Sequence, residues 1–476
     1  MIRINLTNTY CKVSGDLRQL NKLRNELRFR HPSAWFLRPH MPKGWDGFIY
    51  DISETGTIKV GLIPKLIRKC KELDIEYEVD DNRDLKVLTS VPKKLGKFKL
   101  RDYQLLATNK LVYNSMDDIH FPVGVINAAT NAGKTLIASA IHKSFKGAKT
   151  IVLLNSTDLF NQALREFPEI MPDENLGFIQ GKKYQTWGNF TVAMVQTLSR
   201  DIRAYKMFLS KFDICITDEA DLADNKTYRT VLNQLFNATV RVGMSGTIYL
   251  STLKKDQLKN NNIRSYFGDE VVKISKQDLI RKGYSAKLVI KISPGGKGEP
   301  ILGDYPREYE NIITNNTFRQ QQIINRLHFN IERGRIPILV ICQYHNHVDR
   351  LYTIINEEFG KDFNVAYVHH KIKDRKQIFS DFRVGKIDIL VSSMIVKRGQ
   401  NLPLIKVIIN AAGGDSHENI SQIMGRGERK HESKTKTIIE DFADMGHYLK
   451  RHSKHRINYY RKEGFKVILL RGLKRY

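Results

Sequence analysis

Two segments constrain this chain more than any other feature: Ala128-Ala-Thr-Asn-Ala-Gly-Lys-Thr135 and Asp218-Glu-Ala-Asp221, each following a short apolar run. Val123–Asn127 is apolar and preceded by Pro122, the pattern of a buried strand. Gly133 lets the backbone turn tightly around an anion, Lys134 can reach the outer phosphates of a nucleotide, and the Thr135 hydroxyl can bind Mg²⁺. Thr130, Asn131 and Ala132 complete the cradle, although Ala128 stands where the general pattern begins with Gly and Asn131 where Gly is common. Leu136–Lys143 reads as a helix whose positive end faces the phosphates. Phe212–Thr217 is a second buried-strand pattern; Asp218 at its end would hold the Mg²⁺ shell, and Glu219 would polarise an attacking water. Strand, loop and helix, then strand and carboxylates, predict a parallel α/β sheet built to bind and hydrolyse a nucleoside triphosphate.

At 476 residues the chain is too long for a single core, so two or three domains are expected. Its net charge of +28, from 78 basic and 50 acidic residues, points to a polyanionic partner. Beside a nucleotide-hydrolysing site, nucleic acid is the partner of choice. No basic amphipathic helix or lipidation signal favours a membrane surface. Cys11, Cys70, Cys215 and Cys342 are widely spaced, which argues against a zinc ribbon or a disulfide framework. The start of the chain lacks the apolar stretch of a signal peptide, and no run has the length of a membrane span. A reducing cytoplasm, or that of a host cell, is the expected location.

Three blocks are expected: a small α+β domain over residues 1–92, a first α/β lobe over 93–285, and a second over 286–476. The first has a helical pattern over Asp16–Arg28, and Lys93–Lys97 reads as a linker. Strand patterns at Thr150–Leu154, Thr191–Val195, Asp213–Thr217 and Val240–Met244 alternate with helical ones. A Gly-rich break at Pro294–Gly298 precedes further strand patterns at Pro337–Cys342, Val365–Val368, Ile387–Val391 and Val407–Asn410. Tyr448–Tyr476 carries ten Lys or Arg against Glu463 alone, interleaved with Tyr459, Tyr460 and Phe465. Such runs are often solvated tails, but the interleaved aromatics, Tyr476 included, favour a partly folded segment contacting nucleic acid. Tyr344 and His345 read as a helix cap, with nucleic-acid contact as the alternative; His369 and His370 lack paired ligands and read as structural rather than metal-binding.

In this order the motifs resemble those of superfamily 2 helicases, from about residue 98 to 430. Leu100-Arg-Asp-Tyr-Gln104 resembles the motif that contacts adenine; the resemblance implies that Gln104 bonds the base, flanked by Tyr103 or Arg101. Leu154–Gln162 and Gln196-Thr-Leu198 resemble motifs that touch the nucleic-acid backbone, implicating Ser156, Thr157 and Thr197. Ser245-Gly246-Thr247 resembles the motif that couples the ATP site to nucleic acid. Ile338–Tyr344, then Ser392-Ser393 through Gly399-Gln-Asn-Leu-Pro403, resemble second-lobe motifs, implying a nucleic-acid contact for Ser392 and a nucleotide contact for Gly399. Gln422-Ile-Met-Gly-Arg-Gly-Glu-Arg429 is similar to the last motif; by analogy Arg429 is an arginine finger, Arg426 also addresses the γ-phosphate, and Gln422 completes the set. The family fold is two tandem RecA-like lobes with ATP and Mg²⁺ between them.

Met41-Pro-Lys-Gly-Trp-Asp-Gly-Phe-Ile49 and Gly61–Arg68 resemble the segment ahead of the motor in phage UvsW-type helicases, ATP-driven remodellers of recombination intermediates. That resemblance implies a DNA-gripping first domain. Nine basic residues against three acidic ones through residue 50, with Trp35, Phe36 and Trp45 available to stack, are compatible with it. Trp45 and Phe48 are alternatively core residues. The implied activity is branch migration of junctions, forks and displacement loops. The competing readings are an RNA helicase, the motor of a restriction or excision system, and a non-catalytic DNA-binding scaffold. RNA helicases with the Asp-Glu-Ala-Asp letters usually carry His-Arg where this chain has Ser421-Gln422, no nuclease constellation is visible, and Lys134, Asp218, Glu219 and Arg429 are all in place.

Overall fold

Apolar runs rich in Val and Ile become strands buried on both faces only when helices cover a parallel sheet from both sides. Thr150–Leu154, Phe190–Met194 and Val240–Ser245 are such strands, every residue of each buried. The computed structural model describes residues 1–129, 132–246, 248, 256–298, 303–394, 402, 404–415, 424, 436–470 and 473. They form two units, Met1–Ile274 and Ser275–Tyr476.

The main sheet of the first unit runs Lys183–Gln185, Leu176–Gln180, Phe190–Met194, Thr150–Leu154, Ile214–Asp218, Val240–Ser245, Val123–Ala128, Glu270–Ile274. All neighbours are parallel except the first pair. Each strand expected here forms within about a residue of its predicted bounds. Lys93–Lys97 is a correction: Lys94–Leu95 and Phe98–Lys99 close a tight hairpin at Gly96, whose φ is 50°, and Leu95 is buried. A lysine-rich stretch reads as solvated, but a single buried leucine and a left-handed glycine anchor it.

The N-terminal block has its own sheet, ordered Thr57–Lys59, Tyr10–Gly15, Ile2–Leu6, Tyr77–Asp81, packed with helices Leu17–Glu26 and Ile63–Glu72. Asp16 caps the first helix by accepting from the Gln19 N–H at 2.9 Å, as its position in the predicted helix suggests. This block is fastened to the main sheet of the same unit. The Thr9 hydroxyl donates to the Phe236 carbonyl at 3.0 Å, Asn261 donates to Asp51 at 2.8 Å, and Arg68 pairs with Asp269 at 2.8 Å. At Gly61 a β-carbon would stand 2.2 Å from the Arg264 carbonyl oxygen, so the two backbones meet where only glycine fits.

The second unit has an all-parallel sheet ordered Val365–Val368, Ile389–Ser393, Ile338–Cys342, Val407–Asn410, Lys436–Ala443, Lys287–Pro294, Lys466–Leu469. The basic C-terminal run is folded through Leu469, as its interleaved aromatics suggest, and is not a solvated tail. Tyr448–Lys462 is a helix and Lys466–Leu469 an edge strand. Tyr459, Tyr460 and Phe465 are buried, which removes them as stacking platforms. Buried Arg456 is bound by Asp441 at 3.0 Å, and the carboxylate of Glu308 accepts the His447, Tyr448 and Leu449 N–H groups that open the helix. Tyr344 sits at the start of helix His345–Phe359 but makes no side-chain cap bond, against expectation. His369 accepts the Lys371 N–H and contacts Asp349 at 3.0 Å.

Candidate active site

The Val123–Ala128 strand delivers the chain to Gly133, which has φ 74° and opens helix Lys134–Lys143. The left-handed φ favours glycine here, and a β-carbon at Gly133 would stand 2.4 Å from the Gln104 amide nitrogen, so a side chain would have to displace Gln104. Gln104 is itself buried: its amide donates to the Ala132 carbonyl at 3.0 Å and accepts the Arg101 N–H at 2.9 Å. The Arg101 guanidinium donates to the Tyr103 hydroxyl at 2.9 Å. The three residues expected at the base are thus linked to one another, and Gln104 braces the loop that ends at Gly133.

Lys134, at the start of the helix after Val123–Ala128, and Asp218, at the end of Ile214–Asp218, meet at 2.5 Å although strand Val240–Ser245 lies between those two strands. Burial works against the Lys134 charge, yet Asp218, Glu219 and Asp221 together hold its pKa above the ordinary lysine value. The ammonium is therefore fixed at neutral pH, waiting beside carboxylates that a nucleotide's phosphates would rival. The Thr135 hydroxyl donates to Glu166 at 2.9 Å, and Gln162 donates to the other oxygen of that carboxylate at 2.6 Å. Glu166 was not visible as a site residue in sequence; only the helix Thr157–Ile170 lying over the loop brings it there. A magnesium ion held by phosphate oxygens, water, Thr135 and Asp218 needs few protein ligands. The fixed ammonium, the hydroxyl and the carboxylate at a glycine-opened helix fit such a nucleotide-bound ion.

Glu219 has φ 53°, a left-handed backbone that costs a non-glycine residue on the order of 1–2 kcal/mol. The turn aims its carboxylate at Asn155, whose amide donates to it at 2.7 Å. Gln196 donates to the Asn155 carbonyl at 2.8 Å. Asn155 Oδ1 and Gln196 Oε1 are both buried without a partner. Asp221 accepts the Ser245 hydroxyl at 2.7 Å, joining the carboxylate segment to the expected coupling motif, and Gly246 lies over the Ala128 carbonyl.

Of the expected nucleic-acid contacts, Ser156 caps helix Thr157–Ile170, Thr157 is exposed at its first turn, and Thr197 accepts the Gly181 N–H at 2.9 Å. Trp45 is half-buried, its indole donating to the Phe48 carbonyl at 3.2 Å, whereas Trp35 and Phe36 are 78% and 77% exposed. Ser392 is buried and its hydroxyl donates to the Ser393 carbonyl, so the contact expected of it is not presented at a surface. Thr130, Asn131, Thr247, Gly399, Gln422, Arg426 and Arg429 lie outside the described residues.

Residues 97–250 match the family described as Type III restriction enzyme, res subunit, and residues 320–431 match the helicase conserved C-terminal domain. The chain is a superfamily 2 helicase. As such it is an ATP-dependent enzyme acting on nucleic acid. The helicase is 24% identical to Probable helicase D10 of Escherichia phage T5, over 83% of this chain and 82% of that protein. It is 22% identical to ATP-dependent DNA helicase uvsW of Enterobacteria phage T4, over 97% of each. Among solved structures, S. cerevisiae Dbp5 bound to RNA and ADP BeF3 superposes with a TM-score of 0.54 at 15% identity, covering 78% of this chain and 90% of that one, a likeness of fold. Among the described residues no helix of the helicase is long and apolar enough to cross a membrane.

Proposed function

We propose that this helicase is a DNA translocase that remodels branched DNA. The observation that carries the reading is the exposed pair Trp35–Phe36 on a domain fastened to the first motor sheet. Leu27–Trp45 contains no acidic residue and carries Arg28, Arg30, Arg38 and Lys43 in the same stretch of sequence as the pair, a composition suited to bases and phosphates together. The resemblance to the phage T4 DNA helicase extends over 97% of the chain, the N-terminal domain included.

In this reading Lys134 binds the β and γ phosphates, and Glu219 orients and polarises the attacking water. Thr135 and Asp218 would hold a magnesium ion, which would supply neutralisation of phosphate charge. Gln104 keeps the loop in its binding shape. Ser156, Thr157 and Thr197 hold the DNA backbone, the bonds of Asn155 to Glu219 and Gln196 link that face to the carboxylates, and the Asp221–Ser245 bond ties the carboxylates to the coupling motif. Trp45 braces the N-terminal domain, and Trp35 and Phe36 meet unpaired bases at the branch.

The test is unwinding of a four-way DNA junction, beside a simple fork and an RNA duplex, with wild type and Lys134→Ala. Wild type is expected to favour the junction, and Lys134→Ala to lose DNA-stimulated turnover by a factor of about 100 or more. Preference for the RNA duplex would remove the DNA assignment.

A further inference from the structure

The edge of the first motor sheet carries a short antiparallel hairpin. Leu176–Gln180 runs out and Lys183–Gln185 returns, with Gln180 opposite Lys183, so Gly181 and Lys182 form the tip. Gly181 has φ 58°, as a two-residue hairpin turn demands. Charged residues on an edge strand have a ready explanation, since they prevent pairing with another chain. Large exposed aromatics do not. Tyr184 is 66% and Trp187 68% exposed, and no Asp or Glu occurs from Asn175 through Arg200.

The hairpin tip is joined to the surface already assigned to the nucleic-acid backbone. The Gly181 N–H donates to the Thr197 hydroxyl at 2.9 Å, which leaves that hydroxyl its own proton to give to a phosphate. Gln196, next in sequence, donates to the carbonyl of Asn155, the residue before Ser156. Tip, Thr197 and Ser156 therefore share one end of the sheet, beyond the carboxyl termini of strands Leu176–Gln180, Phe190–Met194 and Thr150–Leu154.

We propose that this hairpin is a base-stacking surface for a single strand of nucleic acid. Lys182, Lys183 and Thr197 hold the backbone at the tip, while Tyr184 and, at the far end of the hairpin, Trp187 take bases of a strand lying along it. The proposal rests on the reading of Thr197 and Ser156 as strand contacts. It extends that track by a segment that none of the helicase motifs covers.

The test uses the full chain and oligothymidylate as probe, reading the DNA concentration that half-saturates ATP turnover. For Tyr184→Ala/Trp187→Ala that concentration is expected to rise about tenfold or more, with turnover at saturating DNA near wild type. Trp187→Phe, which keeps a ring, is expected to stay within about twofold. Equal half-saturation in all three proteins overturns the hairpin assignment while DNA-stimulated turnover stands. A wild type that oligothymidylate does not stimulate overturns the underlying strand-contact reading, and the hairpin with it.

Discussion

Arg456 shows what a single side chain decides. It is buried in the second unit with its guanidinium on Asp441 at 3.0 Å and on the carbonyls of Gly413, Gly414 and Phe442, each at 2.8 Å. Asp441 also accepts the Tyr460 hydroxyl at 2.8 Å. Removing one partner of a buried ion pair leaves the other charge desolvated, which costs about 3–5 kcal/mol. Arg456→Met is expected to lower the stability of this unit by that order, seen as an earlier midpoint in urea unfolding. A change below about 1 kcal/mol would show that water reaches Asp441. Neighbouring residues in sequence gave no hint of this pair. Arg456 lies in a run of like charges, and its acid lies fifteen positions upstream on another element.

At the scale of elements, the Thr150–Leu154 strand sets the site. Its parallel register beside Ile214–Asp218 carries Asn155 to Glu219, and its register beside Phe190–Met194 carries Gln196 to Asn155. With Asn155 on its carboxylate, Glu219 is held by the same small network that leads to Thr197. Asn155→Ala is expected to raise ATP turnover without DNA several-fold and to shrink the stimulation by DNA; an unchanged ratio of stimulated to unstimulated rate would count against the restraint. Strand positions were legible because buried runs and turn residues are local signals. Asn155, Gln196 and Glu166 were not, because their roles come from register between segments far apart in the chain. Trp45 was readable in sequence either as a stacking ring or as core, and only packing shows it half-buried while Trp35 is exposed.

The seam between the N-terminal domain and the motor sheet makes a second prediction at this scale. Lys59 lies 3.7 Å from the Tyr266 ring centroid, and burial, with Arg229 and Arg241 nearby, lowers its pKa from 10.5 to about 8. The ring favours the ammonium and works against that shift. Because the folded pKa is below the unfolded one, the unfolded chain binds the extra proton between about pH 8 and 10.5, and stability rises with pH in that window. Wild type is expected to gain melting temperature relative to Lys59→Met between pH 7.5 and about 9.5; parallel curves for the two proteins would exclude the lysine as the cause.

For the whole molecule, the charge of +28 dominates encounters with nucleic acid. Each phosphate neutralised on a single strand releases bound cations, giving a slope of roughly −0.7 in log affinity against log salt. DNA half-saturation of turnover is expected to weaken steeply with added salt, with a slope corresponding to several phosphates. A flat dependence would mean that stacking, not charge, carries the grip. The chain's large-scale plan was legible in sequence because the order of motifs follows the order of strands. The burial of the aromatics in the basic C-terminal run was not, because charge density alone does not reveal the buried acidic partners that fold it.

The close fit at Gly61 has a mechanical corollary. With backbone against backbone there, and hydrogen bonds at Thr9 and Asn261, little compliance remains in the joint. Any swing of the nucleotide-binding half would be passed undamped to Trp35 and Phe36, making the pair the tip of a stiff lever rather than a tethered hook.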